Sequence, residues 1–145
     1  MVDKIQVDLK QAQFSRDEVK VSTLRLLLSE IKNAEIAKGE SLGDPDIVSI
    51  VQKEVKKRKE AALGFRSGGR EEQAQKEETE AKILEGYLPQ QLQVEELTKI
   101  VETTITETGA GGMQDMGKVI GAVMNKVRGQ ADGGTVSSIV KEKLT

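Results

Sequence analysis

The sequence contains no cysteine and no histidine. Without cysteine there is no disulfide, no thiol nucleophile and no thiolate metal site. Without histidine, the commonest acid–base group near neutral pH and the commonest transition-metal ligand are both missing. Tryptophan is absent too, and aromatics make up 2% of the residues. A core must therefore be built from Leu, Ile, Val, Ala and Met, which suits helix packing better than a β-sandwich. Only two prolines occur, which favours long helices. No apolar run approaches the ~18 residues that a membrane span requires, so no membrane partner is expected, and no cofactor or metal either. Met1-Val2-Asp3-Lys4 does not read as a signal peptide, and the cytoplasm is the expected compartment.

The 145 residues permit one compact domain or two small lobes, and their periodicity is helical throughout. Ile5 to Ala12 forms a short amphipathic segment. Ser15 is placed to cap the next helix, with Glu18 completing a capping box. Val21, Leu24, Leu28, Ile31 and Glu35 then share one face, and Gly39 ends the run. Asp44-Pro45 restarts a helix with Asp44 as cap; its stripe is Ile47, Val51, Val55, Ala62 and Phe65. After the Ser67-Gly68-Gly69 turn, a fourth helix carries Ala74, Ala81, Leu84 and Leu88. Leu88-Pro89 stops it. Beyond it Leu97, Ile100, Val101 and Ile105 mark one helix, Met116, Val119, Ile120, Val123 and Val127 a second, and Val136, Ile139, Val140 and Leu144 a third, capped by Asp132. The expected fold class is all-α. It comprises two small helical lobes, residues 1–90 with about four helices and residues 91–145 as a three-helix bundle.

Charged residues are 32% of the chain, yet the net charge is only −2, so their distribution decides what they do. Residues 53–70 hold Lys53, Lys56, Lys57, Arg58, Lys59, Arg66 and Arg70 against Glu54 and Glu60, seven minus two or +5. Residues 71–85 hold six glutamates against Lys76 and Lys82, two minus six or −4. Antiparallel packing of the two helices would neutralise both blocks. Alternatively, Lys53, Lys56, Lys57, Arg66 and Arg70 stay free to meet phosphates. With so few aromatics, a nucleic acid would be held by backbone and shape rather than by base stacking.

Arg58 falls in the middle of the Val51, Val55, Ala62 stripe, at about 100° per residue. Glu35 and Glu77 hold the equivalent places on the second and fourth helices. A charge on an apolar face is costly unless paired, so an inter-helix ion pair of Arg58 with Glu35 or Glu77 is expected.

In Asp115-Met116-Gly117-Lys118-Val119-Ile120-Gly121, the two glycines are four apart on a face away from the apolar stripe. Glycine inside a helix costs about 1 kcal/mol relative to alanine, which suggests a close approach. Another helix of the chain could supply it, or the backbone of a partner protein or RNA lying beside Lys118. Lys126 and Arg128 would extend that basic edge.

Several segments together carry a family resemblance: Leu24 to Ile36 (LRLLLSEIKNAEI), Lys53 to Arg70, Tyr87-Leu88-Pro89-Gln90-Gln91-Leu92, Asp115 to Gly121, and Gly129-Gln130-Ala131-Asp132-Gly133. In this order they resemble the YqeY family, over nearly the whole chain. The resemblance implies a helical C-terminal domain similar to the tail of the B subunit of tRNA-dependent amidotransferases, which in that family helps hold tRNA. The large catalytic part of that subunit has no counterpart here. A label of carbon–nitrogen ligation with glutamine as amide donor could be inherited through the family. The chain itself has no cysteine for glutaminase chemistry and no G-x-x-x-x-G-K-[ST] loop for nucleotide, so no catalytic residue is assigned. The expectation is a non-catalytic accessory module that binds tRNA or another folded RNA through basic helix edges. The alternative is an adaptor that docks on an amidotransferase or another translation enzyme.

Overall fold

The computed structural model describes all 145 residues. The chain is all-helical: α1 Val2–Ser15, α2 Glu18–Lys38, α3 Asp44–Ser67, α4 Glu71–Glu85, α5 Val94–Thr108, α6 Met116–Val127 and α7 Gly133–Leu144, with one 3-10 turn, Met113–Asp115, before α6. It divides into two compact units, Met1–Leu88 and Pro89–Thr145.

In the first unit Ile5, Leu24, Leu27, Ile31, Ile47, Val51, Val55 and Leu84 form the core. Each such side chain contributes about 1.5–3 kcal/mol by leaving water. Leu27, not Leu28, is the buried leucine of α2; Leu28 sits half-buried at the edge. Past Val55, the apolar residues that the antiparallel α3–α4 pair buries between its helices are small, Ala62, Ala74 and Ala81. Alanine lets the two backbones come close but supplies little apolar area, so ion pairs along this stretch carry more weight than usual.

Two caps differ from expectation. The first helix runs on to Ser15, whose Oγ donates to the Ala12 carbonyl at 3.2 Å. Asp17 caps α2 instead, accepting the Lys20 N–H at 3.2 Å. Between them Arg16 sits at φ 59°, ψ 35°, and is the one non-glycine residue with positive φ. At α3 the cap is Gly43, and Asp44 is the first helical residue. Gly39 ends α2 in the left-handed conformation, where glycine meets no Cβ penalty.

In the second unit Leu97, Val101, Val119, Val123, Val127, Ala131, Val136, Ile139 and Val140 form a separate core. Gly109 closes α5 at φ 66°. Asp132 caps α7, accepting the Thr135 N–H at 2.8 Å. The turn after α6 is stitched to the segment that precedes α5. Gln91 Nε2 donates to the Gly129 carbonyl at 2.8 Å, and the Leu92 N–H donates to the Gln130 carbonyl at 2.9 Å.

Candidate functional site

The core residues Val119, Val123 and Val127 fix how α6 is rotated. At about 100° per residue, the side opposite them carries Gly117, Lys118, Gly121 and Asn125, and Arg128 follows as the non-helical residue that ends α6. All five are exposed. A Cβ built on Gly117 or Gly121 would meet nothing within 4 Å. Neither α5 nor α7, the other helices of this unit, covers the glycines, so the reading in which a neighbouring helix of the same bundle makes the close approach is corrected. The result is a low-relief strip about 15 Å long from Lys118 to Arg128, cationic at both ends. Lys118 Nζ is 3.5 Å from the Thr108 carbonyl, the outer limit of a hydrogen bond. Arg128 ends the helix at the stitched turn and has no carboxylate partner. Lys126 points another way. Its ammonium lies 2.6 Å from Glu107 and 3.0 Å from Thr104 Oγ1, so it belongs to the α5–α6 contact rather than to the open strip.

The charge blocks of α3 and α4 largely meet each other. Arg66 donates to Glu71 at 2.9 Å and to Glu78 at 2.6 Å; its hydrogen bonds hold the Glu71 carboxyl below the ordinary carboxylate range. Lys59 pairs with Glu85 at 2.8 Å, and Lys57 lies 3.3 Å from Glu54 in its own helix. Lys53, Lys56 and Arg70 remain exposed without an ion pair. The candidate contact residues of α3 and the turn after it are thus split, and three of them, Lys53, Lys56 and Arg70, are without an ion pair.

Arg58 stands among three carboxylates: Glu80 at 3.4 Å, Glu77 at 3.5 Å and Glu54 at 3.9 Å. Glu35 is not among them. Its carboxylate accepts the Leu42 N–H at 3.2 Å and so holds the α2–α3 connection. Glu54 and Glu80 escaped the sequence reading, although both are buried. Glu54 lies four residues before Arg58 and Glu80 three after Glu77, spacings at which helical neighbours meet. Burial pushes the Glu80 carboxyl up, against the opposing pull of Arg58. The Arg58 Nε is buried with no hydrogen-bond partner. This cluster ties α3 to α4 in one register and offers no open position for a ligand.

A family model described as Yqey-like protein matches residues 2–144. The chain is also similar to proteins named Altered inheritance of mitochondria protein 41, mitochondrial. The one from Pyrenophora tritici-repentis is 28% identical over 148 residues, covering 98% of this chain and 80% of that protein. Those from Vanderwaltozyma polyspora and Saccharomyces cerevisiae are 39% and 34% identical over 82 and 90 residues. These two alignments span 44% and 49% of the relatives, about half their length. The shared name assigns the relatives to mitochondria. It overturns the expectation of a cytoplasmic protein, which rested on composition and on four N-terminal residues and so on nothing that specifies a compartment.

Proposed function

The chain belongs to the YqeY-like family, and from that premise we propose that it is a non-catalytic accessory module that holds a folded RNA, tRNA foremost, on the outer face of α6. The observation that carries the reading is the open strip between Lys118 and Arg128. Two glycines there remove side-chain relief that would keep a sugar–phosphate backbone away, and nothing within the chain fills the space. Lys118 and Arg128 are placed to neutralise phosphates on either side, and Asn125 adds a donor and an acceptor. The resemblance to the amidotransferase B-subunit tail that the Asp115 to Gly121 and Gly129 to Gly133 segments imply favours tRNA over other RNA in this reading. The module would then serve glutamine-dependent amidation of charged tRNA by presenting the RNA, without performing the chemistry. Lys53 and Lys56 of α3 and Arg70, the residue before α4, are free cations of the first unit, and any phosphate contact there would be a separate contribution.

Fluorescence anisotropy of labelled bulk tRNA, titrated at low and at physiological salt, tests this. Lys118→Glu and Arg128→Glu should each weaken binding and lower the slope of log affinity against log salt by about one. Gly121→Leu should weaken it without loss of fold, because the new side chain enters open space. Lys141→Glu on the exposed side of α7 is the control. Absence of binding at low salt, where electrostatics are strongest, would rule the reading out.

A further inference from the structure

The hairpin of α1 and α2 carries a second surface that the RNA reading does not use. Leu24, Leu27 and Ile31 turn α2 toward the core. On its other side lie Ser22, Arg25, Leu26, Ser29, Lys32 and Ile36. Leu26 is 49% exposed and Ile36 70% exposed. Together with Gln13 and Arg16 from the end of α1, the first half of this face lines an open groove of about 690 Å³. A shallower hollow, lined by Lys32, Ile36 and Gly39 among others, continues it along the same helix. From Leu26 to Ile36 the face runs roughly 15 Å.

Its charges are unmatched. Arg16, Arg25 and Lys32 form no ion pair, and Glu18 is the one carboxylate lining the groove. Farther along, Glu40 is matched by Lys38 and Glu35 by the Leu42 N–H. Helix-in-groove docking sets an apolar stripe against exposed apolar side chains, and the unpaired cations beside Leu26 and Ile36 complement a partner of opposite charge. A phosphate backbone gains nothing from Leu26 or Ile36, so the surface is a poor match for RNA. Arg16 supplies an independent observation. It occupies the left-handed position that ends α1, where glycine would be cheaper for the fold. An arginine at such a position, lining the groove, is better explained by its side chain than by its backbone.

We propose that the outer face of α2, bounded at one end by Arg16, docks an amphipathic helix of a partner protein whose apolar stripe is flanked by carboxylates. The proposal concerns the first unit only and is independent of RNA binding by the second.

The test uses the whole 145-residue chain, labelled with nitrogen-15, and two synthetic peptides of about five helical turns. Both carry leucine at i, i+3, i+4 and i+7; one has glutamate at the remaining positions and the other lysine. The expected result is amide shift changes centred on Arg16, Arg25, Leu26, Ser29 and Ile36 with the acidic peptide and none with the basic one. Arg25→Glu should weaken the acidic peptide about tenfold. Arg16→Gly should weaken it too while melting at the same or a higher temperature, a combination that a purely structural Arg16 would not give. Shift changes mapping elsewhere, or equal binding of both peptides, would overturn the proposal. So would perturbation of these amides by tRNA or anionic vesicles and not by the acidic peptide, or concentration-dependent shifts in the chain alone, which would assign the face to a second copy.

Discussion

Replacing Arg58 with methionine keeps the length and apolar stem of the side chain but removes the one guanidinium that Glu54, Glu77 and Glu80 share. Breaking a buried ion pair by deleting one partner costs about 3–5 kcal/mol. Arg58 keeps 21% of its side chain exposed and its contacts are 3.4–3.9 Å long, so water takes up part of the loss and about 2–3 kcal/mol is expected. In a unit of this size that lowers the melting temperature by roughly 10–20 °C. The pH dependence follows from the same charges. Burial already raises the folded-state pKa of the Glu80 carboxyl against the pull of Arg58, and removing the arginine removes that opposition. A raised pKa gives stability at low pH that is lost as pH rises through it. The deficit of Arg58→Met should therefore be largest near neutrality and shrink as pH falls toward the carboxylate range. Thermal melts followed by circular dichroism between pH 4 and 8 read both. Adding Glu77→Gln and Glu80→Gln should recover most of the loss, because the orphaned Arg58 Nε already detracts from the native cluster. A loss below about 0.5 kcal/mol, or a deficit that does not vary with pH, would refute the argument.

Glu80→Gln alone should stabilise the first unit near neutral pH, because burial already works against its charged form; the gain should vanish in acid, where glutamate itself is protonated, and melts at the two pH values show it. Tyr87 is the single tyrosine, and its hydroxyl donates to Asp8. Burial first, then the carboxylate, pushes its pKa well up, so the phenolate absorbance band should be delayed beyond the usual alkaline range until the unit unfolds. The stability linked to it is present below the ordinary tyrosine pKa and is lost as pH rises. Asp132→Ala removes the cap of α7 and should cost about 1 kcal/mol, visible in a chemical melt of the full chain. Gly117→Ala and Gly121→Ala, entering open space, should each raise stability by up to about 1 kcal/mol while lowering tRNA affinity in the same preparation.

The helix count and most of the core were legible because those signals are local. Gly39, Gly109 and Asp132 each end or begin a helix through their own backbone or side-chain chemistry. Ser15 misled because a serine followed three residues later by a glutamate is an equally good local signal, and only the continuation of α1 to Ser15 decides for Asp17. Leu27 and Leu28 both fit a helical stripe; which one is buried depends on where the neighbouring helices press. The partners of Arg58 were legible only in part. One helix states where its own charges point, but not the register of the helix it packs on, so Glu80 was missed and Glu35 was placed with the wrong neighbour. The empty space over Gly117 and Gly121 is a fact about what is absent around α6, which spacing along α6 cannot report.

The strongest charge signal in the sequence is therefore not the best guide to a binding surface. The blocks of +5 and −4 sit on two helices that pack on each other through alanines. With so little apolar area between them, the glutamates of α4 engage Arg58, Lys59 and Arg66 and hold the pair together. Those cations are committed before any partner arrives, and a phosphate would have to displace a carboxylate to reach them. Several cations outside that block form no ion pair, although others there, such as Lys126 and Lys143, do. Lys118 and Arg128 flank a helix face without side-chain relief, and Arg16, Arg25 and Lys32 flank exposed leucine and isoleucine. The difference between these settings predicts different responses to salt. Charge reversal at Lys118 should change the salt slope of tRNA binding, because each contact releases counterions. Charge reversal at Arg66 should leave that slope unchanged and lower the melting temperature instead, by an amount small for an exposed pair. If reversal at Arg66 changed tRNA affinity as much as reversal at Lys118, the α3 block would be the RNA contact after all, and α6 would lose its claim.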